Sequence, residues 1–207
     1  MIQTETDDLT TRFTLDSVTN GLNYKFKVSA VNVLGEGELS PEFVVFVSDM
    51  PEVMSPVTTS ISGTKVVIDW AEPFDNHDPI LSYDVQLLKK DGSLTGFPTE
   101  CSGMSPQITH CEIEMAALIA GTSLKRGDLI RAQVRAVNSY PYTEPRNYAD
   151  LRQLYSQYNS FGAVIETEPD ELATLDYDRL YSSNTRVVLL WTSLPTHQNG
   201  GSEVLGY

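Results

Sequence analysis

The sequence predicts an all-β protein built of half-buried antiparallel strands, and three observations predict it. Apolar and polar residues alternate with period 2 through runs rich in Val, Ile, Tyr and Phe. Clusters of Gly, Pro, Asn and Asp separate those runs, and two long phrases each occur twice. A strand turns successive side chains to opposite faces, so a period of 2 marks a ribbon with one buried side.

The first run is "YKFKVSA", in which Tyr24, Phe26, Val28 and Ala30 share one face and Lys25, Lys27 and Ser29 the other. Next comes "TKVVIDWAEPFDNHDPILSYDVQLL". Here Val66, Ile68 and Trp70 alternate inward, a Pro/Asn/Asp cluster turns the chain, and Ile80 and Tyr83 resume the pattern. The run "DLIRAQVRAVNSY" then repeats the first phrase, with Ile130, Ala132, Val134 and Ala136 set against Arg131, Gln133 and Arg135. At the carboxyl end "TRVVLLWTSLPTHQNGGSEVLGY" repeats the second, with Val187, Leu189 and Trp191 alternating inward and Val204 and Tyr207 beyond the turn. Each half of the pattern therefore occurs twice.

These residues resemble the fibronectin type III family. Its early strands look like V-x-I-x-W-x-x-P…I-x-x-Y-x-V, matched by Val66 to Val85. Its late strands look like L-x-x-G-x-x-Y-x-F-x-V-x-A-V-N-x-x-G-E-G-x-x-S, matched by residues 18–40 with Val18 in place of the Leu. The resemblance implies immunoglobulin-like Greek-key sandwiches of seven strands and about 100 residues each. It divides the chain into the later part of one unit (1–50), a complete unit (51–168) and the earlier part of a third (169–207). Gly21 aligns with Gly127, which sets Met1 beside Gln107 and leaves the first unit without its first four strands. A window cut from a longer tandem array is expected, with head-to-tail completion between chains as the alternative. In such units Trp70, Trp191, Tyr24 and Tyr83 are expected as core anchors. One departure stands out. The family's corner tyrosine is Tyr24 in the first copy but Ile130 in the second, so the second unit must satisfy that corner's backbone differently or do without.

Charge narrows the partners. Twenty-eight acidic against 14 basic residues give a formal charge of −14, the wrong sign for phosphate binding, so nucleic acid is not expected. Anionic membrane surfaces are disfavoured likewise, and no run approaches the ~18 apolar residues of a membrane helix. Acidic groups gather at Asp49–Glu52, at 166–171 and in the turn from Asp75 to Asp78. Their spacing matches no calcium loop, so solvated faces and a tight turn are expected and no metal.

Cys101 and Cys111 flank "SGMSPQITH" between two expected strands. A disulfide there, worth about 3 kcal/mol if unstrained, would place the protein in an oxidising compartment. Two free thiols, or a metal site shared with His110, are the alternatives. Arg126, Gly127 and Asp128 spell the integrin-recognition tripeptide of some fibronectin type III domains, but Gly127 aligns with the turn glycine Gly21, so a turn role is expected.

The connection after the sixth strand is the candidate binding element. It takes eight steps from Asn32 to Ser40 in the first unit and eighteen from Asn138 to Ser156 in the second. Tyr140, Tyr142, Arg146, Tyr148, Arg152 and Tyr155 lie along it, the residue types that dominate binding hot spots. The competing expectation is a short helical turn that packs Leu151, Leu154 and Tyr155 onto its own sandwich.

No catalytic motif or cofactor-binding motif is present, and the three histidines stand in unrelated turns or a hairpin. The expected function is therefore a non-enzymatic structural or adhesive segment of an extracellular or cell-surface array, a spacer or fibre-forming unit. Its expected partners are other chains, neighbouring domains of the array, or a glycan, with no cofactor. The alternative is a receptor-type ectodomain that recognises a protein or glycan through the Tyr-rich loop 140–158.

Overall fold

The computed structural model describes residues 11–97, 99–101, 105–140 and 155–207. Its strands are β1 (Asn23–Phe26), β2 (Val31–Asn32), β3 (Gly35–Glu36), β4 (Phe43–Phe46), β5 (Thr58–Ser62), β6 (Lys65–Asp69), β7 (Ser82–Leu88), β8 (Leu94–Thr95), β9 (His110–Glu114), β10 (Ala132–Val137), β11 (Leu175–Tyr177) and β12 (Leu189–Trp191). Among the described residues one helix, α1 (Met115–Thr122), follows β9. Every strand pairing among the described residues is antiparallel.

In the middle of the chain two three-stranded sheets face each other, ordered β5-β6-β9 and β10-β7-β8. Alternation places Val66, Ile68, Cys111 and Ile113 on the inner face of one sheet. Tyr83, Val85, Leu87, Ala132, Val134 and Ala136 line the inner face of the other, and all are buried. Trp70 closes one end of this core, its ring 5.3 Å from that of Tyr83 at 59°. Among the described residues the whole buried core comes from 54–165.

The segment after Ser156, where a seven-stranded sandwich would carry its last strand, follows a different course. In the amino-terminal segment β4 pairs regularly with β1, Phe43 opposite Phe26. In the middle sandwich Asn159 stands opposite Ala132, and its side chain does the pairing: Oδ1 accepts from the Ala132 N–H at 2.9 Å and Nδ2 donates to Ile130 O at 2.9 Å. The chain then crosses towards β5, where Ala163 N donates to Thr59 O and to Thr59 Oγ1. It bends at Gly162, at φ +135°, where a Cβ would lie 2.2 Å from Thr59 Oγ1. From Ser40 to Val47 is seven steps and from Ser156 to Ile165 nine, yet Val47 and Ile165 make matching bonds to Gly21 and Gly127. Two extra residues therefore bulge out of the ladder and interrupt it.

Helix α1 was not expected from the pattern. Met115, Ala116, Ala117, Leu118 and Ala120 are good helix formers, and Leu118 and Thr122, four apart, are buried on one face. The helix stops at Ser123, which takes a left-handed conformation at φ 59° and donates its N–H to Ile119 O at 2.9 Å. Cys101 lies in a turn closed by its own N–H on Phe97 O.

The outer segments carry small sheets. In the first, β1 pairs with β4 and β2 with β3, and the corner expected at Tyr24 is formed: the Thr19 N–H donates to the Tyr24 hydroxyl at 2.8 Å. Val28 and Ala30, expected inward, are exposed. In the last, β11 pairs with β12, and Trp191, expected as a buried anchor, is 46% exposed with its ring 6.1 Å from that of Tyr207. The reason is common to both: among the described residues each of these sheets has two strands and no second sheet packed over it.

Candidate functional site

Tyr140 and Tyr155 of the candidate loop are described; Tyr142, Arg146, Tyr148 and Arg152 lie outside the described residues, as do Leu151 and Leu154. Tyr140 is half-buried, its N–H directed at Asn138 Oδ1 at 3.2 Å. Tyr155 lies on the outward face of β7 and β10. Its hydroxyl donates to Asp84, and the Arg135 guanidinium sits 4.9 Å above the ring centroid while bonding the same carboxylate at 3.0 and 3.2 Å. Burial, followed by the bond to Asp84, pushes the Tyr155 hydroxyl well above its ordinary range. This end of the loop is thus committed to its own sheet, through a cation–π contact and a charge-assisted bond.

Each residue of the Arg126, Gly127, Asp128 tripeptide has a separate structural task. Gly127 takes φ +82°, which a glycine adopts at no steric cost. Asp128 answers the question that Ile130 raises. The backbone N–H served by Tyr24 in the first segment is that of Thr19; its counterpart, Lys125 N–H, donates to Asp128 Oδ2 at 2.8 Å. A carboxylate two residues earlier replaces the tyrosine hydroxyl, and Lys90 Nζ holds both its oxygens at 2.8 Å. The Lys90 ammonium, followed by the Lys125 N–H, keeps the Asp128 carboxyl below its ordinary range. Sequence reasoning missed this role because Lys90 approaches from 38 residues away.

Arg126 points out of the sandwich towards the next segment. Nε donates to Thr167 Oγ1 at 2.8 Å, and the two terminal nitrogens reach Asp170 at 2.7 and 3.2 Å, Glu168 O at 3.2 Å and His197 O at 3.3 Å. At the opposite end of the sandwich Asn138 Nδ2 donates to Asp49 O at 2.8 Å, Asn76 Nδ2 to Met50 O at 2.7 Å, and Glu52 N to Phe74 O at 2.9 Å. The acidic turn serves itself: Asp75 Oδ1 accepts from the His77 N–H, and Asp78 accepts from the Ser139 hydroxyl. Among the described residues no three His, Cys, Asp or Glu gather as metal ligands. Cys101 and Cys111 form a disulfide with both residues buried and Cα atoms 5.2 Å apart. Trp70 and Tyr83 are buried, while Tyr24 is half-buried.

No protein-family profile matches the chain. It is 24% identical, over 115 residues, to the mouse fibronectin type-III domain-containing protein 3A; the match covers 51% of this chain and 10% of that protein's length. The chain resembles the fibronectin type III family. Among solved structures, the crystal structure of the chicken CNTN1 FN1-FN3 domains is similar at 17% identity and a TM-score of 0.37, covering 84% of this chain and 53% of that one. The fibronectin type III pattern read from Val66 to Val85 is realised in β6 and β7, and the late-strand pattern in β1 and β10. Among the described residues no helix is long and apolar enough to cross a membrane.

Proposed function

We propose that the chain is a non-enzymatic structural segment of an extracellular or cell-surface fibronectin type III array, divided at about residues 50 and 168, which holds flanking modules at a set distance and angle. The observation that carries this reading is the fastening of the middle sandwich at both ends. Asn138 grips the backbone of Asp49 on one side and Arg126 grips Asp170 and the His197 carbonyl on the other. Consecutive β units joined through their end turns are the architecture of a linear array. The buried disulfide supports an oxidising compartment. The partners on this reading are the neighbouring modules, with head-to-tail contact between chains as an extension of the same geometry.

The test is replacement. In the full-length protein, residues 51–168 are exchanged for an unrelated sandwich of equal length, and adhesion or surface assembly is measured. The spacer reading expects the function to survive the exchange. Survival only when loop 140–158 is grafted onto the replacement would favour a receptor-type ectodomain instead. Mass spectrometry of the unreduced native protein checks the compartment, since the oxidised pair is lighter by two hydrogens.

A further inference from the structure

The chain has two joints that bring together the same pair of turns by different chemistry. At the first joint the glycine turn of the amino-terminal segment meets the turn between β6 and β7. A Cβ on Gly21 would lie 2.7 to 2.9 Å from three ring atoms of His77, so the imidazole rests directly on the glycine. At the second joint the glycine turn at Gly127 meets "LPTHQNGG", which holds the same place in the repeated phrase as "EPFDNHDP" and carries its own histidine, His197. Nothing crowds Gly127. The neighbouring Arg126 spans the gap instead, binding the Asp170 carboxylate with two nitrogens, and the carbonyls of Glu168 and His197.

The Arg126 grip locks an already paired structure. Thr167 N donates to Gly200 O and Asp170 N to Gln198 O, so residues 167–170 are tied by their backbone to the histidine turn of the last segment. A Cβ on Gly200 would lie 2.0 Å from Thr167 O, so only glycine permits that approach. One guanidinium thus fastens the linker, and through it the last segment, to the middle sandwich.

We propose that Arg126 is the latch of the second joint, and that this joint is loosened by salt while the first is not. An ion pair whose side chains are 30% and 45% exposed is screened as the Debye length shrinks, whereas the contacts described at the first joint are ring packing on Gly21 and hydrogen bonds to backbone carbonyls, on which salt acts less. Joints between domains move by default unless something holds them, so the latch makes the angle of the second joint responsive to ionic strength and leaves that of the first constant. The inference deepens the spacer reading and rests on it only for its purpose. A segment swap that abolished function would sink the spacer reading and leave the latch standing.

The test is residual dipolar coupling on the whole 207-residue chain, with alignment tensors fitted separately to residues 22–47, 54–165 and 172–192. At about 0.05 M NaCl all three tensors should agree in magnitude and orientation. At about 1 M NaCl, where screening acts within ~3 Å, the tensor of 172–192 should shrink while that of 22–47 keeps pace with the middle. Arg126→Ala should cause the same loss at low salt, and Arg126→Lys, which keeps the charge but not the two-pronged geometry, a partial one. Should Arg126→Ala disturb the shifts of 54–165, Asp170→Asn, which lies outside the core, decides the matter. Tensors that stay matched in the variants, that already differ at low salt, or that separate at both joints together as salt rises would each overturn the proposal.

Discussion

Ser156 holds Val134 by both ends of its backbone. The Ser156 N–H donates to Val134 O at 2.8 Å, and its hydroxyl accepts from the Val134 N–H at 3.1 Å. The same pair of bonds joins Ser40 to Val28 at 2.8 and 3.0 Å, so the long loop leaves and re-enters its sandwich at the points its short counterpart uses. Ser156 and Val134 are both buried, so Ser156→Ala leaves a donor with no partner, at a cost of about 1–3 kcal/mol. Urea titration should show a lower midpoint with an unchanged slope; a midpoint equal to the parent's would mean the hydroxyl is dispensable.

Asp128 should make the middle sandwich sensitive to acid. Its folded-state pKa lies below the ordinary value, held down by Lys90 and then by the Lys125 N–H. The contribution is therefore present above the unfolded carboxylate value, about 3.9, and is lost as pH falls through the lower folded value. Urea midpoints taken from about pH 5 downward should decline less steeply in Asp128→Asn than in the parent. A parallel decline in the two proteins would remove Asp128 from the account.

Tyr83 carries a buried hydroxyl with no hydrogen-bond partner among the described residues, next to Trp70. Its ring fills core volume and its oxygen adds desolvation, which together with the charge of Glu72 raises its pKa. Tyr83→Phe should thus leave stability unchanged or raise it by about 1 kcal/mol, while Trp70→Ala should lower it by about 3–5 kcal/mol. Thermal unfolding of both variants separates the two effects, and a clear loss in Tyr83→Phe would show that the hydroxyl is satisfied.

The Cys101–Cys111 bridge ties the turn that holds Cys101 to β9 across a sequence separation of 10 residues. Exchanging both cysteines for Ser should lower stability by about 2–4 kcal/mol, since an open loop restores entropy to the unfolded chain and leaves polar atoms in a buried site. Equal midpoints for the parent with and without reductant would count against this.

The sequence by itself determined the sandwich. Ile130, Ala132, Val134 and Ala136 alternate with polar neighbours, and Val66, Ile68 and Trp70 do the same on the opposing sheet, because a strand with one buried face must repeat every second residue. The recurring phrase also located the equivalent turns, Gly21 and Gly127, since both need a left-handed backbone. Tertiary structure decided the rest. Helix α1 has neither a side-chain cap nor a polar face to announce it, and its place depends on Leu118 and Thr122 reaching the core. Asn159 replaces a strand's ladder with a side-chain amide, and Asp128 replaces a tyrosine with a carboxylate. Arg126 turned from a letter in a familiar tripeptide into a clamp on Asp170, 44 residues on. Local alternation is written in neighbouring residues, whereas hydrogen bonds and ion pairs join groups that only the folded chain brings within 3 Å.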